Sequence, residues 1–202
     1  MTTRVNMVHR SQPIDGRAPK PMKIVVTGPF SAGKTTLIKT ISEVAVVGTE
    51  SEVSDASRSQ KNKTTVAMDY GRVTFAEDLA LYLFGTPGQR RFEVMWEILS
   101  EGMIGFVLLV NLLDERSLQE SAHILEQFQR YADVPFVVGV THVDEMEADT
   151  TGFEAHVRSV LDLPEGIVVT PCDPRSREDV KSLMLEILLG VLRRLEGSHS
   201  DD

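Results

Sequence analysis

Eight consecutive residues of this chain have the types and spacing to hold a phosphate. Gly28-Pro29-Phe30-Ser31-Ala32-Gly33-Lys34-Thr35 fits G-x-x-x-x-G-K-[ST]. In that pattern glycines permit a tight backbone, and successive N–H groups converge on phosphate oxygens at the positive end of a helix. Lys34 would act on the β- and γ-phosphates as a point charge, and the Thr35 hydroxyl would be a Mg²⁺ ligand. Phe30, Ser31, Ala32, Gly33 and Thr36 complete the expected contacts of this loop with a nucleotide. The loop stands between an apolar run at 23–27 and a helical stripe begun by Leu37 and Ile38, the strand–loop–helix setting that the chemistry needs.

The elements that must position this loop are visible as periodicity. Short apolar runs at 23–27, 65–75, 79–84, 104–110, 135–141 and 166–170 alternate with amphipathic stretches, the pattern of βα units around a mostly parallel sheet. Leu37, Ile38, Ile41, Val44 and Ala45 form one helical stripe. Leu118, Ala122, Leu125 and Phe128 form another behind an Asp114 N-cap. A third runs through Val180, Leu183, Met184, Ile187, Leu188, Val191, Leu192 and Leu195, with Ser176 and Asp179 as a capping-box-like start. Ala76-Glu77-Asp78 is too short for a crossover helix, so the second and third strands form an antiparallel hairpin and one edge strand runs backwards. The polar segment 46–64 has no period and reads as a functional loop. The fold class expected is α/β: a three-layer α/β/α P-loop domain over 22–196, with a six-stranded, mostly parallel sheet and one antiparallel edge strand. It follows a polar leader at 1–21 and precedes a short tail at 197–202.

Composition narrows the function classes. The 202 residues are 42% hydrophobic and 25% charged, which suits one globular domain. A net charge of -9 excludes sequence-independent binding to nucleic acid or to an anionic membrane, both of which need a basic surface. The single cysteine, Cys172, excludes an internal disulfide and fits a reducing compartment. No apolar run approaches the roughly 18 to 20 residues of a membrane span, and no lipidation signal is present. A cytoplasmic protein is expected, recruited to a membrane only through partners.

The segment Leu83-Phe84-Gly85-Thr86-Pro87-Gly88-Gln89-Arg90-Arg91-Phe92, taken with the phosphate loop, resembles the Ras-like GTPases. That resemblance implies that the Gly88 N–H contacts the γ-phosphate and that Gln89 orients the attacking water as the catalytic residue. Gly85 stands where those proteins keep a carboxylate for the Mg²⁺ hydration shell, so either Asp69 or phosphate oxygens and water must compensate. Segment 46–64 then resembles a first switch whose terminal threonine, Thr65 or else Thr64, would meet the metal. Thr141-His142-Val143-Asp144 stands in the place of Asn-Lys-x-Asp, with Asp144 accepting from guanine N1–H and the 2-amino group. Cys172 and Asp173 stand in the place of a segment whose backbone contacts the guanine oxygen, and Cys172 is read as packing and not as a nucleophile.

Within that group the Gly-Thr-Pro-Gly-Gln variant is similar to the prokaryotic MglA-type branch, and more closely to the GTP-binding proteins of actinobacterial conservon operons. The resemblance implies GTP/GDP and Mg²⁺ as ligands, a slow switch, and partners of the Roadblock type together with sensor histidine kinases. Arg90 and Arg91 are candidates for stabilising the transition-state charge. Two competing readings are a nucleotide-locked scaffold, favoured by Gly85, and a small-molecule kinase, for which no lid insertion is evident.

Overall fold

β1 (Lys20–Thr27) and β5 (Met103–Asn111) carry continuous apolar runs, Ile24 to Val26 and Phe106 to Val110, because these stretches are buried on both faces, as central strands of a parallel sheet must be. Ile24 and Val26 of β1 enter one core cluster, and Val25 between them enters the other. The computed structural model describes residues 20–53, 64–76, 79–145 and 152–198. The expected leader and tail lie mostly outside the described residues, although β1 already includes Lys20 and Pro21.

The remaining strands are β2 (Val47–Val53), β3 (Thr64–Ala76), β4 (Leu79–Gly85), β6 (Phe136–Thr141) and β7 (Val169–Pro171). They form one seven-stranded sheet in the order β2-β3-β4-β1-β5-β6-β7. All six expected strands are present. The expected hairpin is the antiparallel pair β3/β4, in register from Asp69 opposite Gly85 to Thr74 opposite Ala80, with a shift before Ala76 meets Leu79. β3 is not the edge strand, however. β2, in a stretch read as a loop, pairs antiparallel with its far side, Val47 opposite Tyr70 and Val53 opposite Thr64. Its polar composition hid it, since an edge strand needs little apolar surface.

Among the described residues five α-helices cover the two faces. α1 (Lys34–Ile41) and α5 (Arg177–Ser198) bury Leu37, Ile38, Ile41, Val180, Leu183, Met184 and Ile187 against one side. α2 (Glu93–Ser100), α3 (Glu115–Tyr131) and α4 (Phe153–Leu161) cover the other with Trp96, Phe128, Val157 and Leu161. The expected α1 stripe ends early. The Ser42 hydroxyl accepts from Val44 N–H at 3.3 Å and Arg72 N–H at 3.2 Å, so the backbone leaves the helix and Val44 is exposed. On α5 the stripe is buried through Leu188, but Leu192 and Leu195 are exposed. A Cβ on Gly190 would lie 3.3 Å from Pro135, just before β6 begins, so beyond this point the helix outruns the sheet.

Both expected caps form. Asp114 accepts from Arg116 N–H at 3.0 Å, while the Ser176 hydroxyl donates to Asp179 Oδ1 at 2.8 Å and accepts the Asp179 N–H at 3.3 Å. Asp114→Ala is expected to lower stability by about 1 kcal/mol in urea unfolding, since α3 then opens on unsatisfied N–H groups. An unchanged midpoint would show that the cap contributes nothing.

Candidate nucleotide-binding site

The phosphate loop reverses direction at three residues in left-handed or glycine-only backbone: Gly28 at φ 142°, Ser31 at 63° and Gly33 at 94°. A Cβ on Gly28 would stand 2.3 Å from the Leu109 carbonyl oxygen, so only glycine lets the loop cross the end of β5. No side chain caps α1 and no acid stands in its first turn, so the positive end of the helix faces the loop. Ala32 is buried, while Phe30, Ser31, Thr35 and Thr36 are open to solvent.

Lys34 is 8% exposed and donates through Nζ to Gly28 O at 2.9 Å and Pro29 O at 2.6 Å. Burial pushes its ammonium down to about 8, against the opposing pull of Asp69 and Glu120. The segment after β4 is laid directly over it. A Cβ on Gly88 would come within 2.6 Å of Phe30 N and 2.7 Å of Lys34 Nζ, which explains glycine there. This segment is anchored from below, where Thr86 N–H donates to Val26 O at 3.0 Å and the Thr86 and Thr27 hydroxyls meet at 3.0 Å. It is also anchored from the side by Trp96 Nε1–H, which donates to Pro87 O at 2.8 Å. Gln89 lines the resulting cavity of about 440 Å³ together with Phe30, Thr35, Asp69 and Arg91.

A carboxylate stands beside position 85 on the neighbouring strand. Asp69 sits opposite Gly85 in the β3/β4 register, and its Oδ2 accepts from the Thr35 hydroxyl at 2.5 Å. A Cβ on Gly85 would lie 3.0 Å from Asp69 Cβ and 3.3 Å from its Oδ2, so the two positions compete for one space. Glycine at 85 and aspartate at 69 are complementary. The sequence carried a usable signal, because Gly71 and Val73 face the core and strand alternation puts Asp69 on the same inward face. Thr35 and Asp69 are hard oxygen donors that suit Mg²⁺. Among the described residues no group of three or more His, Cys, Asp or Glu could hold a metal alone, so such an ion would take its other oxygens from phosphate and water. Thr65 lies in β3 opposite Glu52, and its side chain lies outside the described residues.

At the outer end, the loops after β6 and β7 meet the phosphate loop. A Cβ on Gly33 would lie 2.8 Å from Pro174 and 3.8 Å from Thr141. Thr141 itself is fully buried and its hydroxyl donates to Val110 O at 3.1 Å, so it supports the loop from beneath and presents no hydroxyl outward. His142 takes a left-handed φ of 62° and pairs through Nδ1 with Glu145 at 3.0 Å. Asp144 is exposed and bonded to Arg175, a partner that no pattern in the sequence signals. Cys172 is 2% exposed, and burial, reinforced by Asp179 and Asp173, pushes its thiol up to about 12, which accords with packing and not with nucleophilic chemistry. Its N–H is spent on Val140 O at 2.9 Å, and that of Asp173 on Asp179 Oδ2 at 3.0 Å, so neither backbone donor is free for a base oxygen.

The family described as conserved hypothetical ATP-binding proteins matches residues 26–188, which includes every part of this site. The chain belongs to this family. An uncharacterized protein of Methanocaldococcus jannaschii is 28% identical over 130 residues, covering 64% of this chain and 75% of that protein. The match corrects the Ras-like reading and its MglA-type and conservon branch, since this ATP-binding family is a distinct family of P-loop proteins. The physical reason is that the phosphate loop answers to any nucleoside triphosphate. The residues that would have discriminated, an aspartate at 85 and an Asn-Lys pair at 141 and 142, are absent. Nucleotide binding by a P-loop α/β domain stands; Ras-like kinship does not. Among the described residues no helix is long and apolar enough to cross a membrane.

Three outcomes are expected. Phosphate favours charged Lys34, so nucleotide affinity should fall as pH rises through about 8, with proton uptake on binding above it, readable by calorimetry in buffers of different ionisation enthalpy. In the free protein the folded pKa lies below the unfolded value of 10.5, so the unfolded chain binds more protons between about 8 and 10.5. Stability should therefore rise with pH across that window relative to Lys34→Met, and a flat difference would count against the buried ammonium. Asp69→Ala should weaken Mg²⁺-dependent nucleotide binding, and adding Gly85→Asp to it should restore part of the Mg²⁺ dependence. Failure of both variants to alter the Mg²⁺ titration would sink the carboxylate exchange.

Proposed function

We propose that this protein is a GTP-binding molecular switch that hydrolyses its nucleotide slowly with Mg²⁺. The observation that carries the reading is the pairing of the Asp69 carboxylate with the Thr35 hydroxyl across Gly85, beside Gly88 and Gln89. It puts one hydroxyl and one carboxylate where P-loop proteins hold their metal. Bound Mg²⁺ would supply charge neutralisation on the β- and γ-phosphates.

The chain's own residues account for the rest. Lys34 and the N–H groups at the start of α1 bind the phosphates, and the Gly88 N–H would register the γ-phosphate. Gln89, which lines the same cavity, would orient the attacking water. Among the described residues no cation besides Lys34 is buried, so intrinsic turnover is expected to be slow. A free Asp144 oxygen favours guanine, whose N1–H and 2-amino group both donate, over adenine. The family description names ATP, and the preference for guanine rests on Asp144. The nucleotide-locked scaffold loses its main support, since Gly85 has a substitute. The Roadblock-type partner and histidine-kinase complex came solely with the Ras-like resemblance and are not carried into this proposal.

The single tryptophan is a built-in reporter, because Trp96 holds Pro87 next to Gly88. Trp96 fluorescence should differ between bound GTP and bound GDP, and the GTP signal should relax to the GDP level over minutes to hours in single turnover with Mg²⁺. GTP should bind at least tenfold tighter than ATP. Equal affinity for the two, or a GTP signal that never decays, would refute the base assignment or the hydrolysis respectively.

A further inference from the structure

One guanidinium joins two loops that are far apart in sequence. Arg175 Nη2 donates to Asp144 Oδ2 at 3.0 Å, and Arg175 Nε donates to Asp173 Oδ1 at 2.8 Å. The backbone N–H of Arg175 donates to the same Asp173 oxygen at 2.9 Å, so the arginine is held at both its root and its tip. These loops are fastened to the phosphate loop and its helix. Pro174 abuts Gly33, and the Thr40 hydroxyl donates to Pro174 O at 2.7 Å. The Asp144–Arg175 pair therefore stands on backbone that touches the phosphate site itself.

Donor accounting shows what this pair can do. From Cys172 to Ser176 every backbone N–H is taken: Cys172 by Val140 O, Asp173 by Asp179, Arg175 by Asp173 Oδ1 and Ser176 by Asp173 O. Pro174 has none. A carbonyl oxygen on a base arriving beside Asp144 finds no backbone donor in this loop. The arginine has five N–H donors, of which one is spent on Asp173 and one on Asp144, leaving three. Asp144 for its part keeps Oδ1 and a second lone pair on Oδ2. An acceptor and a charged donor stand side by side.

We infer that Arg175 is a specificity-determining residue that donates to the oxygen at C6 of guanine while Asp144 accepts from N1–H and the 2-amino group. This rests on the guanine reading above. The inverse contact explains rejection: adenine carries an amino group at C6, which would set donor against donor and leave the guanidinium desolvated without an acceptor. Both partners are largely exposed, with side-chain exposures of 63% and 58%. The ion pair by itself therefore contributes little to stability, and its removal should leave the fold intact.

The test compares Arg175→Met with the unaltered chain for GTP, 6-thio-GTP, ATP and inorganic tripolyphosphate. Sulfur at C6 accepts hydrogen bonds weakly, while N1–H and the 2-amino group are unchanged. The unaltered protein should prefer GTP to 6-thio-GTP. In Arg175→Met, GTP affinity should fall about tenfold or more, the preference over 6-thio-GTP should collapse toward unity, and tripolyphosphate should bind as before. If the unaltered protein does not prefer GTP to ATP, the guanine reading itself falls. If it does, and Arg175→Met keeps the preference over 6-thio-GTP, the role of Arg175 is overturned while the guanine reading stands. Equal losses for all ligands, tripolyphosphate included, would mean that Arg175 only shapes the loop, which also overturns the inference.

Discussion

The ammonium of Lys34 is held beneath the phosphate loop by the carbonyls of Gly28 and Pro29, and the surrounding structure is arranged to tolerate a cation away from water. Burying such a charge is costly unless it is hydrogen-bonded and has a counter-charge nearby. The loop carbonyls meet the first need and Asp69 contributes to the second. The same confinement dictates glycine at 88, where any side chain would strike the ammonium, and glycine at 28, where the loop must pass over β5. A cation kept this dry is a strong anion receptor, since little water must be stripped from it when phosphate arrives.

Carboxylate placement follows from that packing. The space between Thr35, Ile38, the middle of β3 and the end of β4 holds one acidic side chain, because a side chain at 85 would meet both Ile38 and Asp69. Here β3 carries it and β4 carries glycine. The two positions face each other across a hairpin. The aspartate at 69 and the glycine at 85 therefore have to be considered as one packing unit.

The phosphate and base ends of the site are joined mechanically. Gly33 is in contact range of both Pro174 and Thr141, and Thr40 of α1 holds the Pro174 carbonyl. The loop after β7 spends its backbone donors on holding its own shape. The segment bearing Gly88 and Gln89 is fastened to β1 through Thr86 and to α2 through Trp96, so any displacement of it is transmitted to a single buried indole.

Much of this was legible without a structure. The phosphate loop is a local motif, since eight adjacent residues and the elements flanking them define its backbone, and the alternation of apolar runs announced the parallel sheet because strands buried on both faces must be continuously apolar. Asp114 and Ser176 were readable as caps for the same local reason. What sequence alone could not decide were relations between segments: β2 as a polar seventh strand, and Arg175 between Asp144 and Asp173. Each depends on which strands and loops become neighbours, and that is settled by burial of the whole sheet between its helices, so no spacing along the chain records it.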